Sequence, residues 1–195
     1  MAAPSTVRPP LGMTSRLTVV SGPAGVGKGT VTSRLAAQCP DLWVSVSATT
    51  RPPRTGEVHG VHYLFVSDPE FDELVATDAL LEWAVVHRAA RYGTPRRPVV
   101  DALAQDVVAI AELDLQGARQ VRQRMPEARL VFLAPPSWEE LVRRLSGRGT
   151  ETGAQQQGRL ETAKAELAAA TEFDHVIVNH EVGQAVAELV GLLRR

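Results

Sequence analysis

Lysine is almost missing from this chain. Of 21 basic residues, only Lys28 and Lys164 are lysines, and arginine supplies the rest. Cysteine is scarcer still: the single Cys39 excludes an internal disulfide and fits a reducing, cytoplasmic compartment, where a lone thiol at a helix end reads as packing. There is no excess of either charge. A formal net charge of −1 withholds the basic signature of a nucleic-acid or membrane surface, so neither partner is expected. No apolar run approaches the roughly 20 residues of a membrane span. The five histidines, His59, His62, His87, His175 and His180, show no metal-ligand spacing. Residues 1–15, rich in Ala, Pro, Ser and Thr, lack the apolar stretch of a signal peptide and read as a disordered tail, with Met13 an alternative translation start. The remaining length suits one α/β domain able to bury a sizeable core. Neither a monomer nor a homo-oligomer is favoured.

Against this background, the position of one lysine is informative. Lys28 closes the run Gly22-Pro23-Ala24-Gly25-Val26-Gly27-Lys28-Gly29-Thr30, directly after the apolar segment Leu17–Val20 and before a helical pattern. A glycine-rich loop with this Walker A spacing between strand and helix lets successive backbone N–H groups cradle phosphate oxygens, and the helix adds its positive end. Lysine is a compact, mobile point charge that can follow a phosphate in transit, which arginine's planar fork cannot do. The loop implies binding of a nucleoside triphosphate.

Apolar strand-like runs alternate with helical patterns along the chain: Leu17–Val20, then Lys28–Gln38; Leu42–Val46; Val107–Ala111, then Gln116–Arg124; Leu130–Leu133, then Trp138–Leu145; Val176–Val178, then Val182–Leu193. Such alternation predicts a parallel sheet with helices on both faces. Two regions break the rhythm. Between Ala48 and Thr94, short strands His62–Val66 and Leu80–His87 flank a helix starting near Asp68-Pro69, which reads as an inserted lobe. From Ser146 to Gly158 the chain is polar and rich in Gly and Gln, which reads as a mobile lid.

The segment Ser47-Ala48-Thr49-Thr50-Arg51-Pro52-Pro53-Arg54-Thr55-Gly56-Glu57 sets two arginines three apart on a proline-stiffened loop, able to fork a second phosphate group. Tyr63, Glu82-Trp83-Ala84 and Tyr92-Gly93-Thr94 follow within the lobe. Further on stand Glu112-Leu113-Asp114-Leu115-Gln116-Gly117, Ala134-Pro135-Pro136-Ser137 and Gly147-Arg148-Gly149-Thr150-Glu151. In this order these motifs resemble the guanylate kinase family over nearly everything but the tail.

The resemblance implies a P-loop NTPase-type parallel sheet flanked by helices, with residues 16–195 forming one guanylate kinase-like unit. Its core would be 16–47, 95–144 and 159–195, with a GMP-binding lobe at 48–94 and a lid at 145–158. It also implies transfer of the γ-phosphoryl group of ATP to GMP, with dGMP a second acceptor and Mg²⁺ accompanying ATP. By position, Gly22 through Thr30 would hold ATP, with Asn179 near its adenine. Lys28, Arg144, Arg148 and Arg159 would act on the transferring group. Arg51, Arg54, Tyr63 and Tyr92 would grip the GMP phosphate, and Ser47, Glu82, Thr94 and Asp114 would read guanine. An ionised carboxylate is acceptor-only, so Glu82 could take guanine's adjacent N1–H and N2–H donors, whereas adenine offers an acceptor there.

Two departures stand out. Gly29 occupies the place of the usual Ser or Thr that reaches the metal, which leaves direct side-chain coordination without a donor there; Glu112 could act through water. The approach to Tyr92, Arg88-Ala89-Ala90-Arg91, is one residue longer than the family form and lacks its first tyrosine. Two rival readings are a related kinase acting on a ribose bisphosphate and a silent phosphopeptide-binding module. The first has no use for Ser47, Glu82 and Asp114 together. The second would tolerate erosion of a loop that is complete here.

Overall fold

The structure is a computed structural model that describes residues 16–86, 90–146 and 153–194. In chain order, strand β1 (Leu17–Ser21) leads into helix α1 (Lys28–Gln38), followed by β2 (Trp43–Val44), β3 (Ala48–Thr49) and β4 (Leu64–Phe65). Helix α2 (Asp68–Ala76), strands β5 (Leu80–Val86) and β6 (Ala90–Pro95), and helix α3 (Arg96–Ala104) come next. Then come β7 (Ala109–Glu112), α4 (Leu115–Arg124), β8 (Arg129–Ala134), α5 (Trp138–Ser146) and α6 (Gly153–Ala168). A short 3-10 turn at Ala169–Glu172, β9 (His175–Val178) and α7 (Val182–Leu193) complete the order.

Five strands form a wholly parallel sheet in the order β2-β7-β1-β8-β9, as the alternation of strand and helix requires. Central β1 is buried along its whole length, and Leu17, Val19 and Val20 supply its apolar surface while Thr18 and Ser21 are buried polar residues. Successive side chains point to opposite faces, so the strand feeds two cores. Val20 joins Ile110, Val131, Ile177, Leu35 of α1 and Leu189 of α7. Leu17 and Val19 join Ala109, Ala111, Leu130 and Val121 of α4 on the other side.

The region Ala48 to Pro95 makes a second sheet in the order β4-β3-β6-β5, in which β3 runs parallel to β4 and antiparallel to β6. Helix α2 starts at a reciprocal cap between Ser67 and Glu70 and buries Phe71 against Ala48 and Leu80. Side chains of α4 dock this sheet onto the main one. Gln120 exchanges hydrogen bonds with the backbone of Trp83 (Nε2 to O 2.7 Å, N to Oε1 3.2 Å), and Arg124 donates to the Leu80 carbonyl at 2.8 Å.

In the second sheet, β3 and β6 have no counterpart in the sequence reading, and the strand expected at His62–Val66 joins that sheet only at Leu64 and Phe65. Three further elements differ. The strand expected at Leu42–Val46 pairs only at Trp43 and Val44, because β2 is an edge and the chain then departs toward the second sheet. Helix α3 follows Pro95 and contains Pro98, punctuation that reads as loop; a proline in the first turn costs no hydrogen bond, since those N–H groups have no helical partner. Helix α6 begins at Gly153, inside the polar segment expected as a lid, while residues 147–152 lie outside the described ones. Its apolar stripe, Leu160, Ala163 and Leu167 against Leu141 and Leu145 of α5, starts only past the Gly- and Gln-rich opening turns, so nothing apolar announces the helix where it begins. Among the described residues, no helix is long and apolar enough to cross a membrane.

Candidate active site

The glycine loop joins β1 to α1 at the heart of the main sheet. Gly22, Gly25 and Gly27 have φ of +143°, +79° and +97°, a region that disfavours any Cβ. At Gly22 a Cβ would also sit 2.2 Å from the Leu133 carbonyl oxygen, so the loop starts flush against β8. Gly27 is the N-cap of α1, and Lys28 is its first helical residue. Lys28 Nζ folds back over the loop, donating to the carbonyls of Gly22 (2.6 Å) and Pro23 (3.3 Å). Burial lowers its pKa, opposed by the carboxylates of Glu112, Glu166 and Asp114. Burial also raises the pKa of Glu166, on α6, although Lys28 and the backbone N–H of Ala24 favour its charge. Asn179, at the end of β9, is buried under the loop and donates from Nδ2 to the Val26 carbonyl at 2.8 Å. It braces the loop from below.

Glu112, at the end of β7, turns its carboxylate to the first turns of α1. Thr32 Oγ1 donates to Glu112 Oε2 at 3.1 Å, and a Cβ at Gly29 would lie 3.6 Å from the same oxygen. Thr32 thus holds the carboxylate from the helix, one turn beyond the residue the loop motif normally uses. Thr30 is exposed on α1. Arg144 of α5 reaches the loop from the other side, donating to Glu140 (2.8 Å) and to the Val26 carbonyl (3.3 Å). The guanidinium groups of Arg143 and Arg144 hold the Glu140 carboxyl at about 2. Arg159 is half-buried on α6, and Arg148 lies outside the described residues.

The second cluster belongs to the smaller sheet. Arg51 donates from Nε to the Tyr92 hydroxyl (2.9 Å) and forks both oxygens of Glu57 (2.7 and 2.9 Å). Its guanidinium stands 5.0 Å from the centroid of the Tyr63 ring, which meets the Tyr92 ring edge-on at 5.8 Å. Glu57 also accepts from the Arg54 backbone N–H at 2.7 Å, while Arg54 itself is exposed. These donors hold Glu57 at about 2, led by the bond from Arg51. Burial pushes the Tyr63 phenol up, with Glu112 and Tyr92 adding to the rise, so the cluster lies within electrostatic reach of the phosphate-loop carboxylate.

Behind it lie two further acids. Glu82 on β5 is 4 % exposed, and Oε1 accepts from Thr94 Oγ1 on the neighbouring strand at 2.7 Å. Burial pushes its carboxyl up to about 7, against the Thr94 bond and with help from Asp114. Asp114 is the N-cap of α4 and accepts from the Gly117 backbone N–H at 2.8 Å. Ser47 sits in the segment between β2 and β3, its carbonyl accepting from Leu64 at 2.9 Å.

The structure therefore brings Arg51, Tyr63 and Tyr92 together, sets Glu82 with Thr94 and Asp114, and puts Arg144 on the phosphate loop. Sequence reasoning gave no role to Glu57, Thr32, Glu166 or Gly117. Glu57 carried a signal, an acid three residues after Arg54 across a glycine turn. The other three carried none in their spacing.

A phosphate loop at the end of the central parallel strand, with a separate lobe holding an arginine–tyrosine cluster and a buried carboxylate, is the build of a P-loop phosphotransferase. The guanylate kinase family model matches residues 14–195, and the chain belongs to that family. It is 58% identical over 184 residues to a guanylate kinase of Leifsonia xyli subsp. xyli, covering 94% of this chain and 72% of that one. It is 60% identical over 178 residues to a guanylate kinase of Thermobifida fusca, covering 91% and 90%. In three dimensions it is similar to the crystal structure of guanylate kinase from Anaplasma phagocytophilum, with a TM-score of 0.76, 31% identity, and coverage of 94% of this chain and 86% of that one.

Proposed function

We propose that this chain is an ATP:GMP phosphotransferase that also accepts dGMP. The observation that carries the reading is the pairing of an intact phosphate loop with a buried acceptor carboxylate, Glu82, whose Oε1 is already taken up by Thr94. In this scheme the loop N–H groups from Gly25 to Thr30 and Lys28 hold the donor phosphates. Arg51, Arg54, Tyr63 and Tyr92 hold the acceptor phosphate, and Glu82 with Ser47, Thr94 and Asp114 reads guanine. Asn179 would keep the loop in shape on the adenine side. Positioning and charge neutralisation supply most of the catalysis in such a transfer, so no covalent intermediate is required.

The oxygen-only donors beside the loop suit Mg²⁺: the Glu112 carboxylate is exposed, and Gly29 brings no side chain to crowd it. Among the described residues, no group of three or more acids, histidines or cysteines could form a protein cage for a metal. Glu112 would therefore hold the ion through water, and the ion would neutralise charge on the phosphates. Residues 48–94 would move as the acceptor lobe and 145–158 as a lid carrying Arg148 beside Arg144 and Arg159, together excluding water as a competing acceptor. Cytoplasmic residence fits the lone thiol.

A coupled assay with ATP against GMP, dGMP, AMP, CMP and UMP tests this. GMP and dGMP should turn over, and AMP should be slower by about a hundred-fold or more, as expected when a buried polar reader is left unmatched. Equal turnover of GMP and AMP would refute the assignment.

A further inference from the structure

Gly117 is an unexpected residue for its place. It lies in the first turn of α4, buried, with an ordinary helical backbone rather than a left-handed one. Neither a turn nor a positive φ requires glycine there, and alanine is the better helix former. The reason is spatial. A Cβ at Gly117 would lie 2.5 Å from Glu82 Oε2 and 3.0 Å from its carboxyl carbon, and 3.4 Å from Asp114 Oδ1. The same residue's N–H donates to Asp114 Oδ1 at 2.8 Å. One position thus serves both acids: its N–H fixes Asp114, and its bare Cα leaves room for Glu82.

We infer that Gly117 is the positioning residue for guanine selection, setting Glu82 and Asp114 at the separation at which they read the base. The inference rests on the reading of Glu82 as guanine acceptor. The helix backbone is held, its first turn by Asp114 and its flank by Trp83 through Gln120. The Glu82 carboxylate, the end of a side chain, is the partner freer to move. Oε1 is held by Thr94, so a methyl group at 117 would rotate or withdraw Oε2, the oxygen left for the base. The site at the phosphate loop shares none of these contacts.

Gly117→Ala should raise KM for GMP by about ten-fold or more, the scale of one lost buried hydrogen bond. Its kcat should fall less, and KM for ATP should stay within about two-fold. A thermal-unfolding cycle supplies a readout independent of turnover. Gly117→Ala should lower Tm in the wild-type background and raise it in a Glu82→Ala background, where the clash is gone and only the helix preference remains. If Glu82→Gln impairs GMP but Gly117→Ala leaves its KM within about two-fold, the inference is overturned while the guanine reading stands. An equal Tm change in both backgrounds overturns it as well. If Glu82→Gln weakens GMP and AMP equally, the guanine reading fails, whatever Gly117→Ala does.

Discussion

The two regions proposed to hold phosphate are built from different materials. The phosphate loop is made of backbone: three glycines at positive φ, a lysine folded onto two loop carbonyls, and an asparagine bracing a third from below. All of it but the brace lies within nine consecutive residues. The proposed acceptor region is made of side chains drawn from separate segments, with Arg51 and Glu57 on one loop, Tyr63 just before β4, Glu82 on β5, Tyr92 and Thr94 on β6, and Asp114 capping α4. A backbone site binds any anion of the right curvature. A side-chain site can discriminate, because each donor or acceptor can be wrong for the rival ligand.

The sharpest way to break this comparison is to remove the one side chain on which the backbone site depends. Lys28→Ala should lower kcat by at least roughly 10²-fold with the fold intact, since N–H groups alone do not follow a charge in transit. Lys28→Arg should fail too. Near wild-type kcat in a folded Lys28→Ala protein would mean that the loop works through its backbone alone.

In the side-chain site the effect should be selective. Glu82→Gln replaces an acceptor-only group by one carrying its own N–H, which leaves a guanine donor unmatched at a cost of roughly 1–3 kcal/mol. GMP efficiency should then drop by about ten- to two-hundred-fold, with AMP activity unchanged or higher. Steady-state kinetics on both nucleotides decides it; a shared loss would mean Glu82 merely fills space.

Smaller again is the expected effect of Glu57→Gln. Arg51 would lose its forked partner yet keep Tyr92, so KM for GMP should rise several-fold while KM for ATP holds. A change confined to ATP would place Glu57 on the wrong side of the comparison.

Acidity sharpens it further. With its carboxyl at about 7, Glu82 is protonated at lower pH and then presents a donor to guanine, so KM for GMP should climb as pH falls below about 7, and Glu82→Gln should flatten that climb. The stability linkage runs the opposite way. The folded-state value lies above the ordinary 4.5, so between these values the unfolded chain holds fewer protons, and stability falls as pH rises. The loss should be of order 3 kcal/mol across the window. Denaturant unfolding of wild type and Glu82→Gln at pH 4.5 and 8 should diverge by about that amount; parallel curves would show that Glu82 is ionised without penalty.

The same contrast explains what is legible in the sequence. Backbone sites need glycines at fixed spacing, so the run from Gly22 to Thr30 and the helix Lys28–Gln38 can be read directly. Four of the five parallel strands are legible too, because β1, β7, β8 and β9 are apolar runs each followed by a helical one, whereas β2 leads into the second sheet. Side-chain sites assembled by folding leave no local pattern, and Glu82 or Tyr92 stands out only through resemblance to a family. Residues that act by what they lack are harder still. Gly117 reads as a weak spot in a helix until Glu82 is seen beside it. Thr32 and Glu166 meet their partners across 80 and 142 residues of chain, distances no periodicity records.

Glu112 and Asp114 are two residues apart, at the end of β7 and the start of α4. The first grips α1 beside the phosphate loop, and the second stands next to Glu82. Two peptide steps reach at most about 7 Å. That short strap of covalent bonds works as a ruler. Lobes can swing open and shut around it and carry Glu82 with them, but the backbone spacing of Glu112 and Asp114 is capped by bond lengths, and no hinge motion can stretch it.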